Sequence, residues 1–271
     1  MTASLGVALG SGGARGIAHI AYIEAIEEMG LAPARIAGTS MGALIGAGWA
    51  SGMSGRDLRD YVSRVTTVGE TMSRLWASGQ LGARIQGDPL AVVAAYLPDA
   101  FPAEFAQLKV AFTAVSTDYF RGEQRAFTDG QLHAAIAASM AIPGLFTPVR
   151  IEERLYIDGG TVNPLPVDHV RAGADIVVAI DVNGHVNEPP EGGVVPTAFD
   201  IGFGATQIMS RTLARNGIAN YPPDVFVEAP VAGFRVLEFW RAPEILARAD
   251  ADKDRFKQEL AAAIERFEAR R

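Results

Sequence analysis

A serine stands between two glycines in the segment Gly38-Thr39-Ser40-Met41-Gly42. The residues before it are typical of a strand and those after it of a helix, so Ser40 would lie at a sharp strand-to-helix turn. Such a turn exposes the serine hydroxyl as a nucleophile, and glycines flank it because larger side chains would collide with the strand and the helix. Glycine and serine are also common in ordinary turns, so these five residues alone leave both interpretations open.

A glycine-rich loop upstream of this serine is the second candidate feature. It consists of Gly10, Ser11, Gly12, Gly13, Ala14, Arg15 and Gly16. A dinucleotide-binding loop would have glycine at its sixth position and an acidic residue about 20 positions further on, but this chain has Arg15 and Arg35 at those places. The loop is better suited to hold a negative charge through successive backbone N–H groups, with Arg15 as an added cation. A tight strand-to-helix turn without a ligand is the remaining alternative.

The two features are expected at one edge of a sheet. The glycine loop follows a predicted strand over 4–10, and Ser40 follows a predicted strand over 35–39, with a helix between them. A strand–helix–strand unit implies parallel strands, whose carboxyl ends meet at the same side of the sheet. The order of elements therefore brings a serine nucleophile beside a site for the oxyanion of a reaction intermediate.

A serine hydroxyl needs a general base, which is usually a histidine. The histidines of the chain are His19, His133, His169 and His185. The first three fall in predicted helices, and His185, just after a strong strand, is the one placed like the histidine of a triad. In an α/β-hydrolase, however, the nucleophile follows several strands, whereas Ser40 follows a single crossover.

Asp158 is the stronger candidate for the base. It ends a predicted strand and is followed by Gly159 and Gly160, which leave its carboxylate in open backbone surroundings. An aspartate can take a serine proton directly when the hydrogen bond is short and burial raises its basicity. Because Asp-Gly is also a favoured turn pair, an ordinary turn is the alternative.

The elements that must position these residues alternate between strand and helix. The predicted strands are 4–10, 35–39, 108–116, a hairpin over 150–157, 174–182 and 224–229, with 126–128 pairing beside the third. The predicted helices are 17–29, 41–50, 131–139, 165–171, 197–216 and a helical C-terminal segment over 243–271, with a helical insertion over 54–105. Residues 187–196 are predicted to form a surface loop. The alternation indicates one α/β domain over residues 1–271.

Composition narrows the class of protein. The chain of 271 residues is 49% hydrophobic and 20% charged, which suits a large core. Its formal net charge of −7 argues against a nucleic-acid partner. The absence of cysteine excludes disulfides and fits a cytoplasmic protein. No apolar run approaches the ~18 residues of a transmembrane segment and no signal peptide is evident, so we expect any membrane contact to be peripheral.

Four motifs together resemble those of the patatin-like phospholipase family. They are Gly10–Gly16 (GSGGARG), Gly38–Gly42 (GTSMG), Ala138–Val149 (ASMAIPGLFTPV) and Asp158–Val167 (DGGTVNPLPV). Their order and spacing are similar to the family's over about residues 5–182. The compact length resembles that of the small bacterial members.

The resemblance implies a three-layer α/β/α sandwich with a mostly parallel central sheet, related to acyl-carrier-protein transacylases and lysophospholipases. It also implies a catalytic dyad of Ser40 as nucleophile and Asp158 as base, with no metal or cofactor. The oxyanion hole would be formed by backbone N–H groups around Ser11, Gly12 and Gly13. Arg15 would stand behind that hole, where the family has a basic residue. Ser11 stands where many family members have a further glycine. We expect the geometry of the loop to be kept, because only the backbone N–H of this residue is needed.

The expected function is hydrolysis of an acyl-lipid ester, such as a phospholipid or lysophospholipid, through an acyl-enzyme. An acyltransferase and a non-catalytic regulatory protein on the same scaffold are the alternatives. The acyl chain needs an apolar channel, whose candidate walls are the insertion over 54–105 and the side chains of Phe203, Ile208 and Met209. Each of these residues could equally be ordinary core. Two roles, core packing and anchoring at a membrane surface, are open for the side chains of Trp76, Phe239 and Trp240.

Overall fold

The computed structural model describes residues 3–64, 87–98, 101–184 and 198–270. The strands are β1 (Leu5–Leu9), β2 (Pro33–Thr39), β3 (Ala111–Asp118), β4 (Glu123–Phe127), β5 (Val149–Ile151), β6 (Arg154–Asp158), β7 (Ile176–Asp181) and β8 (Val225–Glu228). The helices are α1 (His19–Glu28), α2 (Met41–Ser51), α3 (residues 55–64), α4 (Pro89–Tyr96), α5 (Leu132–Met140), α6 (Asp168–Arg171), α7 (Ala198–Asn220), α8 (Ala242–Asp250) and α9 (Lys253–Glu268). Trp76, His185 and the loop predicted over 187–196 lie outside the described residues.

The strands form a mixed, mostly parallel sheet in the order β5-β6-β3-β2-β1-β7-β8, and β4 pairs with β3 outside this order. The central pairs β1–β2, β2–β3, β1–β7 and β7–β8 are parallel. The pairs that involve β4, β5 and β6 are antiparallel. Every residue of β1 and β7 is buried, as expected for parallel strands covered on both faces.

Side chains along the central strands alternate between two layers of core. On β1, Val7 and Leu9 belong to a large cluster with residues of α1, α2, α5, α8 and α9, whereas Ala8 belongs to a smaller one. The smaller cluster contains Val170 of α6 and Ala214 of α7. The alternation follows from the two-residue period of a strand. The chain therefore forms the three-layer α/β/α sandwich predicted from the sequence.

One helix begins later than predicted. We expected a helix over 165–171, but α6 begins at Asp168. Leu165 precedes Pro166, and a residue before proline is disfavoured in helical backbone. The non-helical stretch instead places the Pro164 carbonyl 2.8 Å from the backbone nitrogen of Ser11, in the glycine loop.

The helical insertion is described in part. Helix α3 and helix α4 lie in it, and Asp88 caps α4 through a hydrogen bond from Leu90 N–H to its carboxylate. Within the described ranges, no helix combines the length and apolarity needed to cross a membrane.

Candidate active site

Ser40 occupies a strained turn between β2 and α2. Its backbone has φ 57° and ψ −121°, a combination that residues with a side chain rarely adopt. A Cβ atom on Gly38 would lie 2.2 Å from the Gly42 carbonyl oxygen, and one on Gly42 would lie 2.2 Å from the Leu9 carbonyl oxygen. Both glycines are therefore required by close backbone contacts. The turn places Ser40 at the positive N-terminal end of α2, which favours negative charge on its oxygen.

Three hydrogen bonds hold this turn in place. The Ser40 N–H donates to Ser139 Oγ over 2.8 Å, and the Ser139 hydroxyl donates to the Val115 carbonyl of β3 over 2.5 Å. The Thr39 hydroxyl donates to the Asn163 carbonyl over 2.8 Å. These bonds tie the corner to α5, to β3 and to the segment after β6. They help to offset the strain of the backbone at Ser40.

The sheet brings Asp158 to the serine. Asp158 ends β6, and it is paired with Ser116 of β3. The Ser40 hydroxyl donates to Asp158 Oδ2 over 2.6 Å, a short bond of the kind expected to a carboxylate. The other carboxylate oxygen, Oδ1, accepts the Gly160 N–H over 2.7 Å. The carboxylate is thus fixed with one oxygen on the Ser40 hydroxyl and the other on the Gly160 N–H.

Burial makes Asp158 more basic. The residue is 6% exposed, and its loss of hydration raises the pKa of the carboxyl from 3.8 to about 6. The hydrogen bonds from Ser40 and Gly160 act in the opposite direction and are smaller. The carboxylate remains largely ionised at neutral pH but holds a proton more readily than an exposed aspartate, because its pKa is raised.

None of the three described histidines contacts Ser40. His19 is fully buried, and its Nε2 lies 2.8 Å from the Gly10 carbonyl oxygen. His133 packs against the ring of Phe101, and His169 lies beside Asp168. His185, the alternative base considered from the sequence, lies outside the described residues.

The glycine loop follows β1 and borders the same site, because β1 and β2 are parallel neighbours. We expected the Ser11 N–H among the oxyanion donors, but it donates to the Pro164 carbonyl and so is already used. No acceptor for the N–H groups of Gly12 and Gly13 is found among the described residues. These two N–H groups are the candidates in the loop for donation to a bound oxyanion.

Arg15 and Val236 set the orientation of Gly13. Arg15 Nε donates to the Gly12 carbonyl over 3.4 Å, and in a trans peptide the N–H of the next residue points the opposite way. Gly13 has φ 56°, and a Cβ atom there would lie 2.4 Å from the Val236 carbonyl oxygen. The same carbonyl accepts the Ala14 N–H over 2.8 Å. Only glycine fits this position.

Arg15 is a buried cation behind the loop. It is 2% exposed, and burial lowers the pKa of its guanidinium to about 10, while the charge of Asp181 acts in the opposite direction. The side chain therefore stays charged at neutral pH. It places positive charge behind the two free N–H groups without occupying the space in front of them.

An apolar cavity of about 220 Å³ adjoins the site. Ser40 and Gly13 both line it, so the serine and one residue of the glycine loop border the same space. The apolar walls include, from α2, α3 and α4 in turn, Leu44, Ile45, Leu58, Val62, Val92 and Val93. The insertion thus supplies part of the wall, as we expected from the sequence.

The prediction that Ile208 and Met209 line the cavity is wrong. Ile208 and Met209 of α7 are 60% and 56% exposed and are not among the lining residues, because they lie on the outer face of that helix. The side chain of Phe203 lies outside the described part of the chain. Phe239 lines the cavity, whereas Trp240 does not. Over the described residues, no group of three or more histidine, aspartate and glutamate side chains is placed to hold a metal ion.

The model of the patatin-like phospholipase family matches residues 7–171, more than half of the chain. The chain belongs to the patatin-like phospholipase family. The resemblance seen in the four motifs is thereby confirmed. Membership supports a lipid hydrolase in the broad sense.

Known patatin-like relatives cover most of the chain. "Uncharacterized NTE family protein Rv1063c" of Mycobacterium tuberculosis is 29% identical over 325 aligned positions, which cover 89% of this chain and 88% of that protein. Lysophospholipase nte1 of Aspergillus fumigatus is 26% identical over 95% of this chain but only 18% of its own length. Among solved structures, VipD from Legionella pneumophila has a TM-score of 0.49 at 13% identity, covering 95% of this chain and 67% of VipD.

Sequence reasoning missed several groups that shape the patatin-like site. Ser139 lies in one of the motifs, but nothing in the sequence shows that its hydroxyl reaches the Ser40 N–H. The carbonyls of Pro164 and Val236 act through the backbone, so residue type carries no signal of them. The position of His19 in a predicted helix indicates a surface or core residue, whereas the structure also places its ring against the Gly10 carbonyl of the glycine loop.

Proposed function

We propose that this patatin-like protein hydrolyses the carboxylic ester of an acyl lipid, with Ser40 as nucleophile and Asp158 as general base. The observation that supports it most is the 2.6 Å hydrogen bond from the Ser40 hydroxyl to Asp158, beside an apolar cavity. The substrate would be a phospholipid, a lysophospholipid or a related acyl ester whose hydrocarbon chain enters that cavity. The proposed chemistry requires no resident metal or cofactor.

Acylation would begin when the Ser40 oxygen attacks the ester carbonyl carbon and its proton passes to Asp158 Oδ2. The carbonyl oxygen becomes an oxyanion, which the N–H groups of Gly12 and Gly13 would stabilise by about 3 kcal/mol per well-placed donor. The tetrahedral intermediate then collapses. The C–O bond to the alcohol breaks, the alcohol leaves with the proton from Asp158, and the acyl group stays on Ser40.

Deacylation would repeat these steps with water. Asp158 takes a proton from a water molecule as its oxygen attacks the acyl carbon, and the same two N–H groups hold the second oxyanion. The bond to the Ser40 oxygen breaks, and that oxygen regains its proton from Asp158. The products are the free carboxylic acid and the enzyme in its starting state.

The test is hydrolysis of p-nitrophenyl esters and of a panel of phospholipids and lysophospholipids by three forms of the protein. Ser40→Ala should abolish turnover and labelling by a fluorophosphonate probe. The matched control is Ser51→Ala, at the other end of α2, where the hydroxyl donates to the Gly48 carbonyl of its own helix. Wild-type turnover by Ser40→Ala would refute the proposal.

The same measurements separate the alternatives. Transfer of the acyl group to an added alcohol or thiol in preference to water would indicate an acyltransferase. A folded wild-type protein that neither turns over esters nor reacts with the fluorophosphonate would indicate a non-catalytic role on this scaffold.

We also propose a peripheral contact with the membrane that holds the substrate, for a protein acting in the cytoplasm. Support comes from the turn between β3 and β4, where Tyr119 and Phe120 are 54% and 81% exposed. Strand β3 is parallel to β2, so this turn extends from the sheet edge at which Ser40 lies. It stands about 10 Å beyond Ser116, the partner of Asp158, at roughly 3.3 Å per residue. Aromatic side chains favour the lipid–water interface.

Sedimentation with phosphatidylcholine vesicles tests this contact. The double variant Tyr119→Ser and Phe120→Ser should bind the vesicles at least about tenfold more weakly than wild type, because two large apolar side chains no longer enter the interface. A double variant of Tyr221→Ser and Phe226→Ser, which removes exposed aromatic rings elsewhere, serves as the control. Equal binding by wild type and the first variant would refute this contact surface.

A further inference from the structure

The two N–H groups proposed as oxyanion donors lie in a loop whose other peptide groups are restrained. On the N-terminal side, the Ser11 N–H is held by the Pro164 carbonyl. On the C-terminal side, the Gly12 carbonyl is held by Arg15 and the Ala14 N–H by Val236. The free groups of Gly12 and Gly13 are thus bracketed by bonded peptides. The restraint that completes the N-terminal side is the hydrogen bond to the Gly10 carbonyl.

That bond comes from His19, the first residue of α1. The imidazole is 0% exposed, and its Nε2 lies 2.8 Å from the Gly10 oxygen. A carbonyl oxygen can only accept, so Nε2 carries the proton and donates it. Burial lowers the pKa of His19 to about 4, so the ring is neutral at physiological pH. The second nitrogen, Nδ1, is then an unprotonated acceptor.

The Nδ1 atom of His19 helps to separate a packing role from a hydrogen-bonding role for this side chain. It is buried and has no hydrogen-bond partner among the described residues. A buried acceptor left without a partner costs free energy, and an apolar side chain of similar size would fill the space without that cost. Among the described residues, the one polar contact of the His19 side chain is directed at the glycine loop. A role confined to core packing does not account for the choice of histidine.

We propose that His19 is a positioning residue for the oxyanion donors. Its hydrogen bond and that of Pro164 hold the carbonyl and the N–H of one peptide, Gly10–Ser11, from opposite sides. A trans peptide held at both ends cannot rotate about its flanking bonds without breaking one of them. The next N–H along the chain belongs to Gly12. His19 therefore fixes the direction of that donor before substrate binds, without touching the substrate or Ser40.

This inference rests on the proposed function, and three variants test it. His19→Gln places an amide N–H at a reach similar to that of Nε2. His19→Met has similar size and no donor, and His19→Asn is polar but too short to reach Gly10. Each would be compared with wild type for kcat and KM on a p-nitrophenyl ester and for its melting temperature.

We expect His19→Met and His19→Asn to lower kcat by about 10- to 100-fold with KM changed by about twofold or less, since a misdirected donor weakens the transition state and not substrate binding. His19→Gln should keep kcat within about threefold of wild type, because its amide can restore the bond to Gly10. The preference for an ester over the matching thionoester should fall with kcat, because the hole holds oxygen better than sulfur.

The results that overturn the inference differ from those that overturn the function. If Ser40→Ala is inactive while His19→Met and His19→Asn turn over at the wild-type kcat, the role of His19 is wrong and the proposed function stands. Equal loss in all three His19 variants with an unchanged ester-to-thionoester preference also overturns that role. Should His19→Met fail to fold, the comparison of His19→Gln with His19→Asn decides in the same way. Wild-type turnover by Ser40→Ala overturns the proposed function itself.

Discussion

Replacement of Asp158 by asparagine should inactivate the protein and stabilise it. The amide can keep both contacts of the carboxylate, with its oxygen accepting the Gly160 N–H and its nitrogen donating to the Ser40 oxygen. It cannot accept a proton from Ser40. Loss of a general base of this kind lowers kcat by about 10²- to 10⁴-fold.

The gain in stability follows from the shifted pKa. Burial raises the pKa of Asp158 from 3.8 to about 6 in the folded protein, so folding disfavours the charged form. A shift of roughly 2 units corresponds to about 3 kcal/mol at 1.36 kcal/mol per unit. Because the folded pKa is the higher one, the penalty is absent below about pH 4 and complete above about pH 6. The variant should therefore be more stable than wild type by about 3 kcal/mol at pH 8, and by about half of that at pH 5.

Urea unfolding of both proteins at pH 5, 6, 7 and 8 measures this difference, with ester hydrolysis recorded on the same samples. The control is Asp129→Asn, which removes the same charge from an exposed position. Its stability difference from wild type should stay nearly constant with pH. A gap for Asp158→Asn that does not widen from pH 5 to pH 8 would show that the buried carboxylate carries no penalty, and the argument for a basic Asp158 would fail.

Further predictions concern the base, the turn and the cavity. The wild-type kcat/KM should rise tenfold per pH unit below about 6 and level off above it, since Asp158 must be ionised; a flat profile from pH 4.5 to 6 would contradict this. Ser139→Ala should lower the free energy of unfolding by about 1–3 kcal/mol in urea titrations, because the buried Ser40 N–H loses its acceptor. Val93→Phe should slow hydrolysis of decanoyl esters at least about tenfold relative to acetyl esters, because it fills the cavity; an unchanged ratio would place the acyl chain elsewhere.

Much of the fold could be predicted because the sequence signals are local. Strands β1 and β7 are short apolar runs bounded by glycine or polar residues, and α2 begins directly after the serine turn. The parallel order of β1 and β2 follows from the helix between them. The late start of α6 departs from the helical pattern because Pro166 disfavours helical backbone at Leu165.

The residues at the candidate site were more predictable from the sequence than the contacts that they make. Glycines around Ser40, in the loop and after Asp158 mark places where backbone must pass close to backbone, and the sequence displays them directly. Contacts made by carbonyls leave no such mark. For that reason the sequence carries no signal of the bond from the Ser11 N–H to the Pro164 carbonyl or of the bond from His19 to the Gly10 carbonyl.

The sequence by itself determined the α/β class, the family and the residues gathered at one edge of the sheet, because glycine spacing and strand order are properties of the chain. Only the tertiary structure decided the 2.6 Å contact of Ser40 with Asp158, the raised pKa of that carboxyl and the two loop N–H groups that have no acceptor among the described residues. Those features depend on burial and on direction in space. Residues more than a hundred positions apart acquire them only when the sheet and its helices are assembled.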